Sequence, residues 1–214
     1  IVLGNGSNDI LELVARTFLS VNDEAIYSEH AFAVYSLVTQ AVGAKGIEVP
    51  AKNYAHDLDQ FLLAINENTK VIYIANPNNP TGTLIDKSTL KSFLDKVPNN
   101  IVVVLDEAYD EYLDNNLKSE AFDWIAKYKN LLISRSFSKA YGLAGLRLGY
   151  GVSSANLVEV INRIRQPFNV NSLAQIAGIA SLDDDDFIVT SKKINDKGMK
   201  QLTNAFSCLG IEFI

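Results

Sequence analysis

The sequence predicts an α/β protein in three α/β/α layers, built on a mostly parallel sheet. Two observations carry this. Short strand-like runs alternate with helix-like segments along most of the chain, the pattern of a parallel sheet with helices on both faces. The strand-like runs are also continuously apolar, Ile101-Val102-Val103-Val104-Leu105 above all, as expected where both faces are covered.

Taken in order, the first element is a helix beginning near Asn8. Ile10, Val14 and Phe18 recur every four residues with Leu11 beside them, just after the turn Gly4-Asn5-Gly6-Ser7-Asn8-Asp9. Strands are predicted over residues 25–28, 46–49, 71–75, 101–105, 131–134 and 148–152. Helices are predicted between them over residues 33–42, 58–65, 87–96 and 121–127. Beyond Asn156 the pattern turns helical: Leu157, Val160, Ile161 and Ile164 share one face, and Pro167 interrupts it. Helices over 172–182 and 187–209 follow, and the acidic run 183–186 caps the last of them or marks a solvated corner.

Length and composition bound the rest. A chain of 214 residues buries a substantial single core, and one large domain is the default. Although 48% of the residues are apolar, no stretch nears the roughly 20 needed to cross a bilayer. No signal-peptide pattern opens the chain. The net charge of −6 argues against a nucleic-acid partner. One cysteine, Cys208, excludes an internal disulfide and suits a reducing compartment, so the cytoplasm is expected. Neither His30 nor His56 has a metal-ligand partner at suitable spacing, and no metal is implied. The sole methionine is Met199, and residues 210–214 read like the entry to another strand, so the chain is expected to be cut at both ends.

The chemistry concentrates around Lys139, in Ser136-Phe137-Ser138-Lys139-Ala140-Tyr141-Gly142-Leu143-Ala144-Gly145-Leu146-Arg147. A partly neutral lysine amine forms Schiff bases with aldehydes, while the Ser136 and Ser138 hydroxyls and Arg147 can hold a phosphate. The glycine turn before the first helix offers backbone N–H groups near Ser7 and Asn8 to the same anion, helped by the helix dipole. A cofactor needing an amine and a phosphate cradle together is pyridoxal 5'-phosphate. Asn79, Asp106 and residues 136–139 each fall just past the carboxyl end of a predicted strand, where open α/β sheets collect their ligands. Each has a plainer reading: a surface lysine, a turn or helix cap for Asp106, turn chemistry for Asn79 beside Pro77 and Pro80, packing for Tyr109, a surface arginine for Arg147. A dinucleotide fold is disfavoured, because Gly4-Asn5-Gly6 lacks a third glycine at the right spacing.

In order along the chain stand the glycine turn, Asn76-Pro77-Asn78-Asn79-Pro80-Thr81-Gly82, Asp106-Glu107-Ala108-Tyr109 and Ser136-x-Ser138-Lys139. This succession resembles the aspartate-aminotransferase superfamily, and the wording around Lys139 and in 165–175 is similar to that of histidinol-phosphate aminotransferases. The resemblance implies the pyridoxal-phosphate-binding large domain of that fold, with a roughly seven-stranded sheet. An N-terminal arm would precede residue 1, and residues 187–214 would lead toward a smaller C-terminal domain. It implies Lys139 as the Schiff-base lysine and proton-moving base, Asp106 on the pyridine nitrogen, and Tyr109 and Asn79 on the phenolic oxygen. Phe32 would stack on the ring. The proline usual in this stretch is missing from Ser28-Glu29-His30-Ala31-Phe32-Ala33-Val34-Tyr35, which leaves Tyr35 as the other candidate. The implied partners are a small-molecule amino donor and a 2-oxo acid, histidinol phosphate and 2-oxoglutarate in family terms, with a homodimer as the assembly. Related aminotransferases and threonine-phosphate decarboxylases share these motifs, and a cofactor-binding or dimer-forming module without turnover is the reading of a different class.

Overall fold

The computed structural model describes residues 1–214 and has the three layers expected. Its sheet has seven strands: β1 (Val2–Asn5), β2 (Glu24–Ser28), β3 (Lys45–Val49), β4 (Thr69–Ala75), β5 (Val102–Asp106), β6 (Leu131–Ser136) and β7 (Leu148–Ser153). Across the sheet the order is β1-β7-β6-β5-β4-β2-β3. The pairings among β3, β2, β4, β5 and β6 are parallel, whereas β7 runs antiparallel to both β6 and β1.

Eight helices cover it: α1 (Ser7–Phe18), α2 (Val34–Ala41), α3 (Leu58–Ala64), α4 (Lys87–Leu94), α5 (Ala121–Trp124), α6 (Ala155–Asn162), α7 (Ser172–Leu182) and α8 (Asp185–Cys208). The two faces of the sheet explain its apolar strands. On β4, Val71, Tyr73 and Ala75 join the core under α1, α2 and α6, while Ile72 and Ile74 join the opposite core under α3, α4 and α5. Burying both faces removes the alternation that a half-exposed strand would show.

Three expectations are adjusted. Val2–Asn5 forms a strand that was not anticipated; its identity comes from pairing with β7, with Gly4 opposite Gly149, rather than from a run of its own. The helix over 121–127 stops at Trp124, because the Lys127 and Tyr128 amides both turn back to the Trp124 carbonyl and lead directly into β6. The last helix starts at Asp185, two residues early. Asp184 accepts from the Phe187 amide as its cap, and Asp185 and Asp186 sit in the first turn where the dipole favours acids. No helix is long and apolar enough to cross a membrane.

Because β1, β4, β5 and β6 all run the same way, their carboxyl ends share one edge of the sheet. The residue preceding β7, Arg147, is brought to that edge by the reversed direction of β7.

Candidate functional site

At that edge lies a cavity of about 220 Å³. All ten residues expected to act together line it: Ser7, Asn8, Phe32, Asn79, Asp106, Tyr109, Ser136, Ser138, Lys139 and Arg147. Tyr35, Ala75, Pro77 and Ala108 complete the wall.

One end is built for an anion. Gly6 caps α1 without a side chain, and the Ser7 and Asn8 amides make no hydrogen bond within the protein. Free amides at a helix N-terminus carry partial positive charge. Gly6 adopts φ 81°, which the turn needs glycine for, and a Cβ there would fall 2.2 Å from Arg147 Nη2 and push the guanidinium out of the cradle. Arg147 itself sits at φ 61°, left-handed backbone that costs a non-glycine residue on the order of 1–3 kcal/mol. Its Nη1 is held by the Ala144 carbonyl at 3.1 Å and lies 3.4 Å from Ser138 Oγ. Ser136 Oγ accepts from the Ser138 amide at 3.0 Å, closing the hydroxyl side of the cradle. Asp9 turns away, accepting from the Asn5 amide and from Asn169 Nδ2, each at 2.8 Å.

The cradle depends on how closely β7 approaches α1. A Cβ at Gly149 would meet the Ser7 nitrogen at 2.3 Å and the Gly6 carbonyl carbon at 2.6 Å, both backbone. Gly149→Ala is therefore expected to cost about 1–3 kcal/mol in urea unfolding, the range for overpacking. It should also weaken phosphate binding measured by calorimetry. Unchanged stability would show that the two backbones have room to part.

The other end is built around a buried carboxylate. Asp106, the last residue of β5, is 5% exposed, and its Oδ2 accepts from the Tyr35 hydroxyl at 3.0 Å. Its Oδ1 is buried without any partner. Burial pushes the Asp106 carboxyl up to about 6, only partly offset by the Tyr35 hydroxyl, the Ala108 amide and the charge of Lys139. An unpartnered carboxylate oxygen at the floor of a cavity suits a ligand N–H or cationic nitrogen.

Lys139 projects between the two ends, its Nζ 5.2 Å from the centre of the Tyr109 ring. The Tyr109 hydroxyl accepts from Asn79 Nδ2 at 3.1 Å. Asn79 is free to point inward because its neighbours hold the loop. Asn76 exchanges side-chain bonds with Ile85, and Asn78 Nδ2 donates to the His30 carbonyl and to Thr81. The Asn76–Pro77 and Asn79–Pro80 bonds are both cis.

Tyr35 and Phe32 divide their work. Tyr35 is fully buried, stacks on Tyr73 at 4.9 Å between centres and spends its hydroxyl on Asp106. Phe32, half-buried at the cavity wall, packs against the edge of Tyr35. The bond from Tyr35 to Asp106 was not anticipated. Its signal lay in helical spacing, since Tyr35, Val38 and Thr39 form the inner face of α2 whereas Phe32 precedes the helix.

The fold and site together define a lysine-bearing crevice with an anion cradle at one end and a buried acid at the other. The chain belongs to the class I and II aminotransferase family, whose model matches residues 1–214. It is 60% identical over its whole length to a histidinol-phosphate aminotransferase of Methylobacillus flagellatus, of which it covers 58%. It is 55% identical to histidinol-phosphate aminotransferase 2 of Ralstonia nicotianae, covering 57%. Among solved structures it resembles the histidinol-phosphate aminotransferase of Sinorhizobium meliloti in complex with pyridoxal-5'-phosphate. There the TM-score is 0.85 at 28% identity, over 89% of this chain and 52% of that one. The chain thus spans somewhat over half the length of the curated relatives it matches.

Proposed function

We propose that residues 1–214 form the pyridoxal-phosphate-binding large domain of a histidinol-phosphate aminotransferase. In this reading the protein moves an amino group between histidinol phosphate and 2-oxoglutarate. The observation that carries it is a coincidence in one cavity: an amine, a buried unpartnered carboxylate oxygen and two free helix-terminal amides beside an arginine. The named relatives at 55–60% identity support the choice of substrate.

When bound, the cofactor supplies an aldehyde carbon and a ring that accepts electrons from the substrate's α-carbon. The chain does the rest. The Ser7 and Asn8 amides, Ser136, Ser138 and Arg147 hold the phosphate. Asp106 Oδ1 would accept a hydrogen bond from the protonated pyridine nitrogen and so keep the proton on the ring. Asn79 and Tyr109 share the phenolic oxygen, and Phe32 covers a ring face. Lys139 Nζ would be the base that moves the proton at the substrate's α-carbon. A homodimer, supported by the exposed apolar side chains Leu173, Ile176 and Ile179 of α7, and a cytoplasmic location belong to the same proposal.

The test is to add pyridoxal 5'-phosphate to the purified protein, reduce with borohydride and locate the adduct by peptide mass spectrometry. Glutamate formed from histidinol phosphate and 2-oxoglutarate is then measured. Labelling confined to Lys139 with glutamate production is expected. Labelling spread over surface lysines would sink the cofactor site, and transfer from other amines but not histidinol phosphate would sink the substrate.

A further inference from the structure

Behind the cavity wall, on the side of the β5 and β6 ends facing away from it, lies a buried ionic cluster that the proposed mechanism does not use. Arg135 of β6, its side chain 11% exposed, donates from Nε to Glu107 Oε2 at 3.0 Å, and its Nη2 forms an ion pair with the same oxygen at 2.7 Å. Its Nη1 donates to Asp110 Oδ2 at 2.9 Å and to Glu111 Oε1 at 3.2 Å. The Phe122 ring lies 4.9 Å from the guanidinium, and the Ser119 hydroxyl donates to Glu107. Lys118 adds a distant contact to Asp110 at 3.8 Å.

Sequence alternation makes this cluster a neighbour of the site at three points. Glu107 follows Asp106, Asp110 follows Tyr109, and Arg135 precedes Ser136. In each pair one side chain lines the cavity and the other meets the cluster; strand alternation explains this for Arg135 and Ser136 at the end of β6, while Tyr109 and Asp110 lie in the turn after β5. One planar guanidinium therefore ties the segments carrying the expected pyridine, phenolic-oxygen and phosphate contacts. A buried ion cluster is a poor way to gain stability, because desolvation cancels most of the attraction, but it fixes geometry well.

The geometry points to Arg135 as a positioning residue that sets Asp106, Tyr109 and Ser136 in mutual register for pyridoxal 5'-phosphate, acting through Glu107 and Asp110. This rests on the proposed cofactor site.

The decisive comparison is between Asp110→Asn and Glu111→Gln. Each removes one carboxylate charge from the same guanidinium, but only Asp110 adjoins a cavity residue; Glu111 is followed by Tyr112, which lies outside the cavity wall. Cofactor affinity is read by titration, and the environment of the bound ring by visible circular dichroism. Asp110→Asn is expected to raise the Kd for pyridoxal 5'-phosphate about tenfold, the low end for losing a partner that orients a ligand-holding group in metal sites, and to change the dichroism. Glu111→Gln should stay within about twofold of the parent, a change too small to signal lost positioning. Arg135→Lys keeps the charge but loses the fork; it should match or exceed the loss in Asp110→Asn, and it serves as the second arm if that variant fails to fold. Equal effects of Asp110→Asn and Glu111→Gln, or none in a folded Arg135→Lys, would overturn the inference and leave the cluster a fold-stabilising ion group. Failure of the unaltered protein to bind at Lys139 would remove the cofactor site and this inference with it. Binding by the unaltered protein with equal Asn and Gln effects would remove the inference alone.

Discussion

Lys139→Ala is expected to lower amino transfer by about 10,000-fold, the upper range for a general acid–base group, while leaving the fold intact. Lys139 Nζ is the amine that projects toward both Tyr109 and Asp106. In the proposed reading its loss would remove the covalent attachment and the proton carrier together. The cradle of Ser7, Asn8, Ser136, Ser138 and Arg147 does not depend on it. Pyridoxal 5'-phosphate should therefore still bind Lys139→Ala, with a visible spectrum like the free aldehyde and no borohydride-fixed adduct. Comparable turnover in this variant would mean that another group moves the α-proton. A fixed adduct in Lys139→Ala would mean that another amine reaches the aldehyde.

Asp106→Asn carries the second large effect, and it has a pH signature. The folded-state value of the Asp106 carboxyl is about 6 against an ordinary 3.8, so it is raised. A raised value means the folded protein holds the proton more tightly than the unfolded chain. The resulting stability is complete below about pH 4 and is lost as pH rises through 6. The difference corresponds to about 3 kcal/mol. Urea unfolding of the cofactor-free protein at intervals from pH 4 to 7 should show the parent losing stability that Asp106→Asn retains. The comparison isolates Asp106 from Glu107 and Glu111, whose carboxyls burial also raises. Cofactor affinity should move oppositely, tightening in the parent as Asp106 ionises and can balance a protonated ring nitrogen. The cofactor phosphate titrates in the same interval, so the asparagine variant is the reference. Amino transfer in Asp106→Asn should fall about 100- to 1,000-fold, the scale of losing one preorganised electrostatic partner. Parallel stability curves for the two proteins would show that the carboxyl is hydrated in a way its burial does not suggest.

Much of this site was legible in the sequence because α/β topology turns sequence position into spatial position. Asn79, Asp106 and Lys139 lie far apart in the chain, yet each ends or follows a strand whose carboxyl end reaches the same edge. The strand 101–105 was legible because burial on both faces demands an unbroken apolar run. Val2–Asn5 was not, because four residues hold no such run and their strand character is conferred by β7. Phe32 and Tyr35 stayed undecided because both are aromatic and three residues apart; hydrogen-bonding capacity separates them, since only Tyr35 can donate to Asp106. The role of Arg135 was not legible because its partners Glu107, Asp110 and Glu111 lie 24–28 residues away, and nothing in a single chain announces a pairing at that distance.

The cavity is walled by segments from six parts of the chain: the start of α1, the turn before α2, the loop after β4, the end of β5, the end of β6 and the residue leading into β7. A ligand seated there works as a rivet as much as a reagent. It would join segments that the chain otherwise holds through their strands, the Arg135 cluster and side-chain bonds such as Tyr35 to Asp106 and Asn79 to Tyr109, and it would meet the one carboxylate oxygen that the fold leaves without a partner there. Anything that binds the folded state alone raises stability by RT ln(1 + [L]/Kd), about 2.7 kcal/mol at a hundredfold excess over Kd. Melting temperature and cofactor occupancy are then two readings of one equilibrium, and substitutions that loosen any of these six segments should register in both.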